Sequence, residues 1–142
     1  MRKNHIARSS ITIEAPCAKV WRALVTPEAI KQYMFGATAI SNWREGDGIT
    51  WKGEWEGKAY EDKGRITHMI PERTLQYTHF SPLSGLPDQP ENYHTVTIEL
   101  SGLNGECQVA LTQDNNSTEE ARRDSEQNWE VMLGGLKDYV ER

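Results

Sequence analysis

The segment from Thr118 to Arg142 constrains this chain most, because it has the apolar spacing of one long amphipathic helix. At about 100° per residue its apolar side chains fall within roughly 80° of one another, which makes a single stripe. They are Trp129, Met132, Leu133, Leu136 and Val140. Such a stripe needs a surface to cover, and strand-like sequence precedes it. We therefore predict that the helix lies across a curved sheet, with a ligand cavity between them.

The residues before this helix alternate between apolar and polar side chains over several stretches, which indicates strands. Ile11 and Ile13 mark the first strand, and two short helical stretches that begin at Pro16 and Pro27 follow it. About six further strands come next, and the short turns between them favour antiparallel neighbours. The longest irregular segment, Ser81 to Asn92, is predicted to be a loop that closes one end of the cavity.

Three glycines stand inside predicted elements. Gly64 interrupts a long strand and is expected to mark a bulge or a bend. Gly134 and Gly135 lie within the last helix, where each costs about 1 kcal/mol relative to alanine. The pair is expected to allow close packing against the first two helices or a partner chain, or else to shape the cavity.

Size and charge limit the classes of protein to consider. The length of 142 residues suits one domain, so residues 1–142 are treated as a single domain. A net charge of −5 without a basic run argues against a nucleic-acid partner. No stretch approaches the roughly 20 apolar residues that cross a bilayer, so no membrane insertion is expected. Because the N-terminus lacks the apolar core of a signal peptide, a cytoplasmic location is predicted.

The two cysteines, Cys17 and Cys107, lie far apart in the sequence. Neither belongs to a CxxC or Cys/His pattern, so neither a zinc site nor a redox motif is indicated. Given the predicted location, two buried, reduced thiols are expected, with a disulfide as the alternative.

Local motifs along the whole chain fit this order of elements. They are Ala15-Pro16 with Val20-Trp21, Tyr33-Met34-Phe35-Gly36-Ala37, Gly48-Ile49-Thr50-Trp51-Lys52-Gly53-Glu54-Trp55, Tyr60-Glu61-Asp62-Lys63-Gly64, Glu91-Asn92-Tyr93-His94-Thr95-Val96-Thr97, Leu111-Thr112-Gln113-Asp114-Asn115-Asn116, and Asn128-Trp129 with Leu136-Lys137. With these motifs the chain resembles the START-related superfamily, also called SRPBCC. Within it, the chain is similar to the bacterial domain family named for homology to the activator of the heat-shock protein 90 ATPase.

The resemblance implies an α+β helix-grip fold. In this fold a curved antiparallel sheet of about seven strands wraps around a long C-terminal helix, and two short helices follow the first strand. It also implies a cavity between sheet and helix, whereas it implies no particular reaction and no cofactor. The superfamily includes lipid carriers, hormone-binding proteins and some cyclases, so function depends on the cavity residues rather than on the fold.

Two histidines are candidates for ligand contact or proton transfer. His94 heads an apolar strand face with Val96, and His79 shares a face with Tyr77. The ordinary pKa of histidine, about 6.5, allows either role. The alternative is that each ring is satisfied by a neighbouring hydroxyl or carbonyl group.

Arg122 and Glu126 continue the apolar stripe toward the start of the last helix. If both enter the cavity, they must pair or bind a ligand, because a buried charge costs several kcal/mol. The alternative is a surface pair worth about 0.3–0.5 kcal/mol. Trp51, Trp55 and Trp129 are similarly open to two interpretations, as core residues or as cavity wall.

The cavity candidates combine these polar residues with the aromatic and apolar ones. They are Phe35, Trp51, Trp55, Tyr77, His79, His94, Arg122, Glu126, Trp129 and Leu133. No HExxH spacing or GxSxG motif occurs, so neither a metal site nor a serine nucleophile is predicted, and no catalytic residue is assigned.

Three functions follow as hypotheses. The first is binding of a hydrophobic or amphipathic small molecule beneath the last helix. The second is an enzyme in which His79, His94, Tyr77 or Glu126 acts as acid or base on an enclosed substrate. The third is a stress-related, co-chaperone-like interaction protein, with a chaperone or a second copy of the chain as partner, which predicts an exposed apolar patch.

Overall fold

The computed structural model describes residues 5–142 of the chain. In chain order its elements are β1 (His5–Ile13), α1 (Cys17–Leu24), α2 (Pro27–Tyr33), β2 (Thr38–Ser41), β3 (Gly48–Trp55), β4 (Lys58–Ile70), β5 (Thr74–His79), β6 (His94–Leu103), β7 (Glu106–Asn116) and α3 (Glu119–Val140). Two single turns of 3-10 helix, Pro82–Ser84 and Pro90–Asn92, lie between β5 and β6. The predicted order of elements is confirmed.

The strands of the described chain form one curved antiparallel sheet of seven strands, in the order β1-β7-β6-β5-β4-β3-β2. Consecutive strands pair through short turns from β2 to β5 and again at β6 and β7. β1 and β2 lie at opposite edges of the sheet, and α1 and α2 carry the chain from one edge to the other. This is the helix-grip architecture that the sequence predicts.

The apolar stripe of α3 faces the core. Leu133, Leu136 and Val140 are buried, and Trp129 and Met132 are partly buried against the same core cluster. The helix contacts β1 and β7 of the sheet, and it contacts both short helices. The C-terminal half of the stripe therefore anchors α3 in the core, while the half near Trp129 borders a cavity between the helix and the sheet.

Helix α3 begins at a side-chain cap. The Thr118 hydroxyl oxygen accepts the backbone N–H of Ala121 at 3.0 Å, which satisfies one of the free donors of the first turn. Glu119 and Glu120 follow in that turn, where their negative charges suit the positive end of the helix dipole.

Strand β4 lies between β3 and β5 in the sheet. It pairs with β3 up to Arg65 and with β5 from Ile66, and its register with β5 shifts between Ile66 and His68. A Cβ on Gly64 would overlap the backbone carbonyl oxygen of Thr78, so glycine is required where the neighbouring strand β5 approaches closely. The irregularity predicted at Gly64 therefore lies a few residues later, between Ile66 and His68. Gly64 itself allows β5 to approach β4 closely.

The cysteines form a disulfide, so the prediction of two reduced thiols is wrong. Cys17 opens α1, Cys107 lies in β7, and their Cα atoms are 5.0 Å apart. The sequence positions are 90 residues apart, and only the packing of α1 on β7 brings them together. The cytoplasmic location stays a prediction.

No helix among residues 5–142 is long and apolar enough to cross a membrane.

Candidate ligand-binding cavity

A cavity of about 290 Å³ lies between the sheet and the N-terminal half of α3. Five strands, α3 and the segment between α2 and β2 all contribute to its wall. The lining residues are Met34, Phe35, Ala37, Trp51, Tyr60, Asp62, Tyr77, His79, Val96, Gln113, Ser125, Asn128, Trp129 and Met132.

The alternation of the strands brings the polar lining residues inward. Tyr60 and Asp62 lie at every second position of β4 and share a face with the buried Ile66. Gln113 likewise follows the buried Leu111 on the inner face of β7. Because successive side chains of a strand point to opposite faces, these polar groups enter the same space as the apolar core.

Asp62 and His79 form the polar centre of the wall. Nε2 of His79 lies 2.8 Å from Oδ2 of Asp62, and the two side chains are 27% and 16% exposed. The second carboxylate oxygen, Oδ1, is buried and has no hydrogen-bond partner among the described residues. An unsatisfied buried acceptor costs about 1–3 kcal/mol, so this oxygen is a ready acceptor for a donor from a ligand.

Aromatic rings flank this centre. The Trp51 ring lies 5.2 Å from both the His79 ring and the Tyr77 ring, measured between centroids. Burial raises the pKa of the Tyr77 phenol, and burial and the nearby Asp62 raise that of Tyr60. Both phenols therefore keep their protons at neutral pH and remain available as hydrogen-bond donors.

A hydrogen bond across the cavity joins α3 to β7. The indole N–H of Trp129 donates to Oε1 of Gln113 at 2.6 Å. Gln113 is almost fully buried, and its Nε2 has no hydrogen bond to another described residue. The amide group is thus oriented by Trp129, with its donor side left for other contacts.

Phe35 stands at the mouth of the cavity. Its backbone has a φ of 54°, a left-handed conformation that is uncommon for a bulky residue. The residue is 49% exposed, and its ring contacts the Trp55 ring edge-on, at a centroid distance of 5.7 Å. The left-handed backbone thus holds an aromatic lining residue of the cavity partly in solvent.

The structure brings together five of the sequence-predicted site residues. Those that line the cavity are Phe35, Trp51, Tyr77, His79 and Trp129. Leu133 instead lines a smaller void of about 30 Å³ in the core, and Trp55 lies at the surface with 53% exposure. The loop from Ser81 to Asn92 contributes no lining residue.

His94 lies beside the cavity and not in its wall. Its Nδ1–H donates to the backbone carbonyl of Asp114 at 2.8 Å, which is the satisfied state considered as the alternative. The ring is stacked on His79 with 6.4 Å between centroids.

Arg122 and Glu126 also lie outside the cavity, so they do not form its polar end. The Arg122 guanidinium contacts Glu119 and Glu126, and these carboxylates raise its pKa. Glu126 accepts the backbone N–H of Arg8 at 3.0 Å, which lowers its pKa together with Arg122. The group therefore ties the start of α3 to β1, because its charges satisfy one another there.

Sequence reasoning missed Asp62 and Gln113. The signal was present in both cases, because each residue continues an inward-facing alternation that ends in buried apolar residues. Among residues 5–142 no group of three or more potential ligand side chains is arranged to hold a metal ion.

Several solved structures have the same architecture over nearly the whole chain. ChR145 from Cytophaga hutchinsonii is 57% identical with a TM-score of 0.86, and the alignment covers 99% of this chain and 97% of that one. The Aha1 dimer from Colwellia psychrerythraea is 22% identical with a TM-score of 0.74, and the alignment covers 96% of each chain. Ara h 8.0201 is 15% identical with a TM-score of 0.76, over 98% and 99% of the two chains.

Sequence comparison gives the family. No protein of curated function matches the chain. Residues 14–141 match the family described as activator of Hsp90 ATPase homolog 1-like protein, which is the resemblance found in the motifs. The match spans nearly all of the helix-grip domain, so the chain belongs to the activator of Hsp90 ATPase homolog 1-like family.

Proposed function

We propose that this protein binds a small hydrophobic or amphipathic molecule in the cavity beneath α3. The observation that carries the proposal is the mixed wall, in which aromatic and aliphatic side chains surround Asp62, His79 and Gln113. Binding sites for small molecules combine apolar walls with a few convergent polar groups in this way.

The size of the cavity limits the ligand. A volume of about 290 Å³ lies just below the roughly 300–1,000 Å³ range of ligand pockets. It suits a molecule with one ring system and a short chain more than it suits a two-chain lipid. The Phe35 ring at the mouth is placed to cover such a ligand.

A pair of variants on α3 tests the proposal. Met132 lines the cavity, whereas the adjacent Val131 is exposed. A panel of aromatic and aliphatic small molecules is titrated into isotope-labelled protein, and amide shifts are followed by NMR. We expect shifts around the cavity in wild type and in Val131→Trp, and their loss in Met132→Trp, because only the latter fills the space. Shifts that survive in Met132→Trp would place the ligand elsewhere.

One observation favours catalysis as a second function. The hydrogen bond that Asp62 accepts from His79 orients an imidazole at the cavity wall, as a general base requires. The test follows a bound ligand over time by NMR. Conversion by wild type that is lost in His79→Gln, with binding retained, would support an enzyme, and a ligand that stays unchanged in wild type would argue against one.

A further inference from the structure

The charges that line the cavity are unbalanced. Asp62 supplies a carboxylate, and His79 is the only basic side chain among the described lining residues. Neither lysine nor arginine lines this cavity in the described chain, because Arg122 is held outside by Glu119 and Glu126. The wall therefore has no permanent positive charge to match an acidic ligand.

Only one of the two carboxylate oxygens of Asp62 has a hydrogen-bond partner among the described residues. Nε2 of His79 lies 2.8 Å from Oδ2, so the imidazole occupies one of the two carboxylate oxygens. Oδ1 is buried without a partner among residues 5–142. A donor that carries positive charge would satisfy this oxygen and also offset the charge in a place that water reaches poorly.

The rings around Asp62 suit the same chemistry. Tyr60 lies two residues before Asp62 on the same face of β4, and Trp51 packs edge-on against His79, the partner of Asp62. Trp129 closes the opposite wall from α3. Ammonium groups are attracted to the faces of tryptophan and tyrosine rings, most strongly where water is excluded.

We infer that the cavity takes an amine: a molecule whose protonated nitrogen binds Asp62 and whose apolar body lies between Trp51, Trp129 and Met132. This inference rests on the proposed function and makes it narrower. It disfavours fatty acids and other carboxylates, whose charge would meet Asp62 without a lysine or arginine to receive it.

Three probes with one skeleton test the inference. Phenylbutylamine, phenylbutanol and phenylbutyrate share a ring and a chain and differ in the charge of the end group. Their dissociation constants are measured by NMR titration at neutral pH and fixed ionic strength. We expect the amine to bind wild type about tenfold or more tightly than the alcohol, and the carboxylate to bind most weakly.

Two variants of β4 identify the charge responsible. Asp62→Asn removes the carboxylate from the cavity wall. Glu61→Gln makes the same charge change on the next residue, which points to solvent beside Lys52. We expect the amine to lose its advantage over the alcohol in Asp62→Asn and to keep it in Glu61→Gln. The alcohol affinity should be unchanged in Glu61→Gln, and alcohol binding should remain measurable in Asp62→Asn. The alcohol thus also reports whether each variant keeps its folded cavity.

The outcomes separate the two proposals. If the carboxylate binds wild type as tightly as the amine, or if Asp62→Asn preserves the preference for the amine, the inference is wrong while small-molecule binding stands. If Glu61→Gln abolishes the preference as fully as Asp62→Asn, the preference comes from overall charge and the inference is also wrong. If none of the three probes binds wild type, both proposals fail.

Discussion

Gly135 of α3 lies directly against Tyr33 of α2: a Cβ built on the glycine falls 3.2 Å from the Cβ of Tyr33. Tyr33 is fixed, since its ring is buried and its hydroxyl donates to the Ala23 carbonyl at 3.0 Å. The neighbouring Gly134 has nothing within 4 Å of the same position. The sequence allowed the glycine pair either to permit close packing of α3 or to shape the cavity. Gly135 permits close packing of α3 against α2.

The two glycines give a matched pair of alanine variants. Gly134→Ala should raise the free energy of unfolding by about 0.5–1 kcal/mol, because alanine favours the helix and contacts nothing new. Gly135→Ala gains the same propensity but presses on Tyr33, so we expect it to be less stable than Gly134→Ala by about 1 kcal/mol or more. Urea unfolding measures both. Equal free energies of unfolding for the two variants would show that the added methyl group at Gly135 does not strain the packing of α3 on α2.

The bond between Trp129 and Gln113 gives a second prediction. Trp129→Phe removes the donor to Oε1, and we expect a loss of about 1 kcal/mol beyond the loss of ring area. Trp21→Phe is the control, because Trp21 is also partly buried against the core and its indole has no hydrogen bond to the described chain. The excess loss should disappear when Gln113→Leu is combined with Trp129→Phe. Equal losses for the two tryptophans in the wild-type background would contradict the prediction.

The fold follows from the sequence because it depends on periodicity. The alternation of β1 through β7 and the helical spacing of Trp129 to Val140 are local properties that the sheet and α3 keep. The short turns fix which strands pair. The irregularity predicted at Gly64 is displaced, since the register between β4 and β5 shifts between Ile66 and His68.

The site is less predictable because it depends on distant contacts. Arg122 sits on the stripe that faces the cavity, but Glu119, Glu126 and the backbone of β1 hold it outside. Asp62 was visible as an inward position of β4, yet its importance arises only when β5 brings His79 to it. The spacing of residues along one helix or strand predicts which face a side chain lies on. Its partners depend on which elements pack together, and this cannot be read from the spacing.

The disulfide makes stability depend on the redox state. A crosslink between Cys17 and Cys107 closes a loop of 90 residues. Restricting the unfolded chain in this way contributes about 2–4 kcal/mol. Full reduction should therefore lower the midpoint of urea unfolding, and Cys17→Ser should match the reduced protein and not respond to reductant. If mass spectrometry shows the wild-type bond intact before reduction and absent after it, an unchanged midpoint would contradict this account.

The loop between β5 and β6 should respond to acid. Asp88 contacts the Lys63 ammonium and accepts the Tyr93 hydroxyl at 2.6 Å, and these bonds hold its pKa below the ordinary value of 3.8. Because the folded-state pKa is lowered, the contacts are fully present above pH 3.8 and are lost as the pH falls through the lower, folded-state value.

We therefore expect two changes as the pH falls below 3.8. The NMR signals of the Tyr93 ring should shift, and the backbone amides of residues 81–92 should exchange faster with solvent. Asp88→Asn should produce both changes at neutral pH, because an amide binds Lys63 more weakly than a carboxylate does. Glu91→Gln is the control in the same loop, since its side chain has no such contact among the described residues. Acid changes that persist unaltered in Asp88→Asn would assign them to another group.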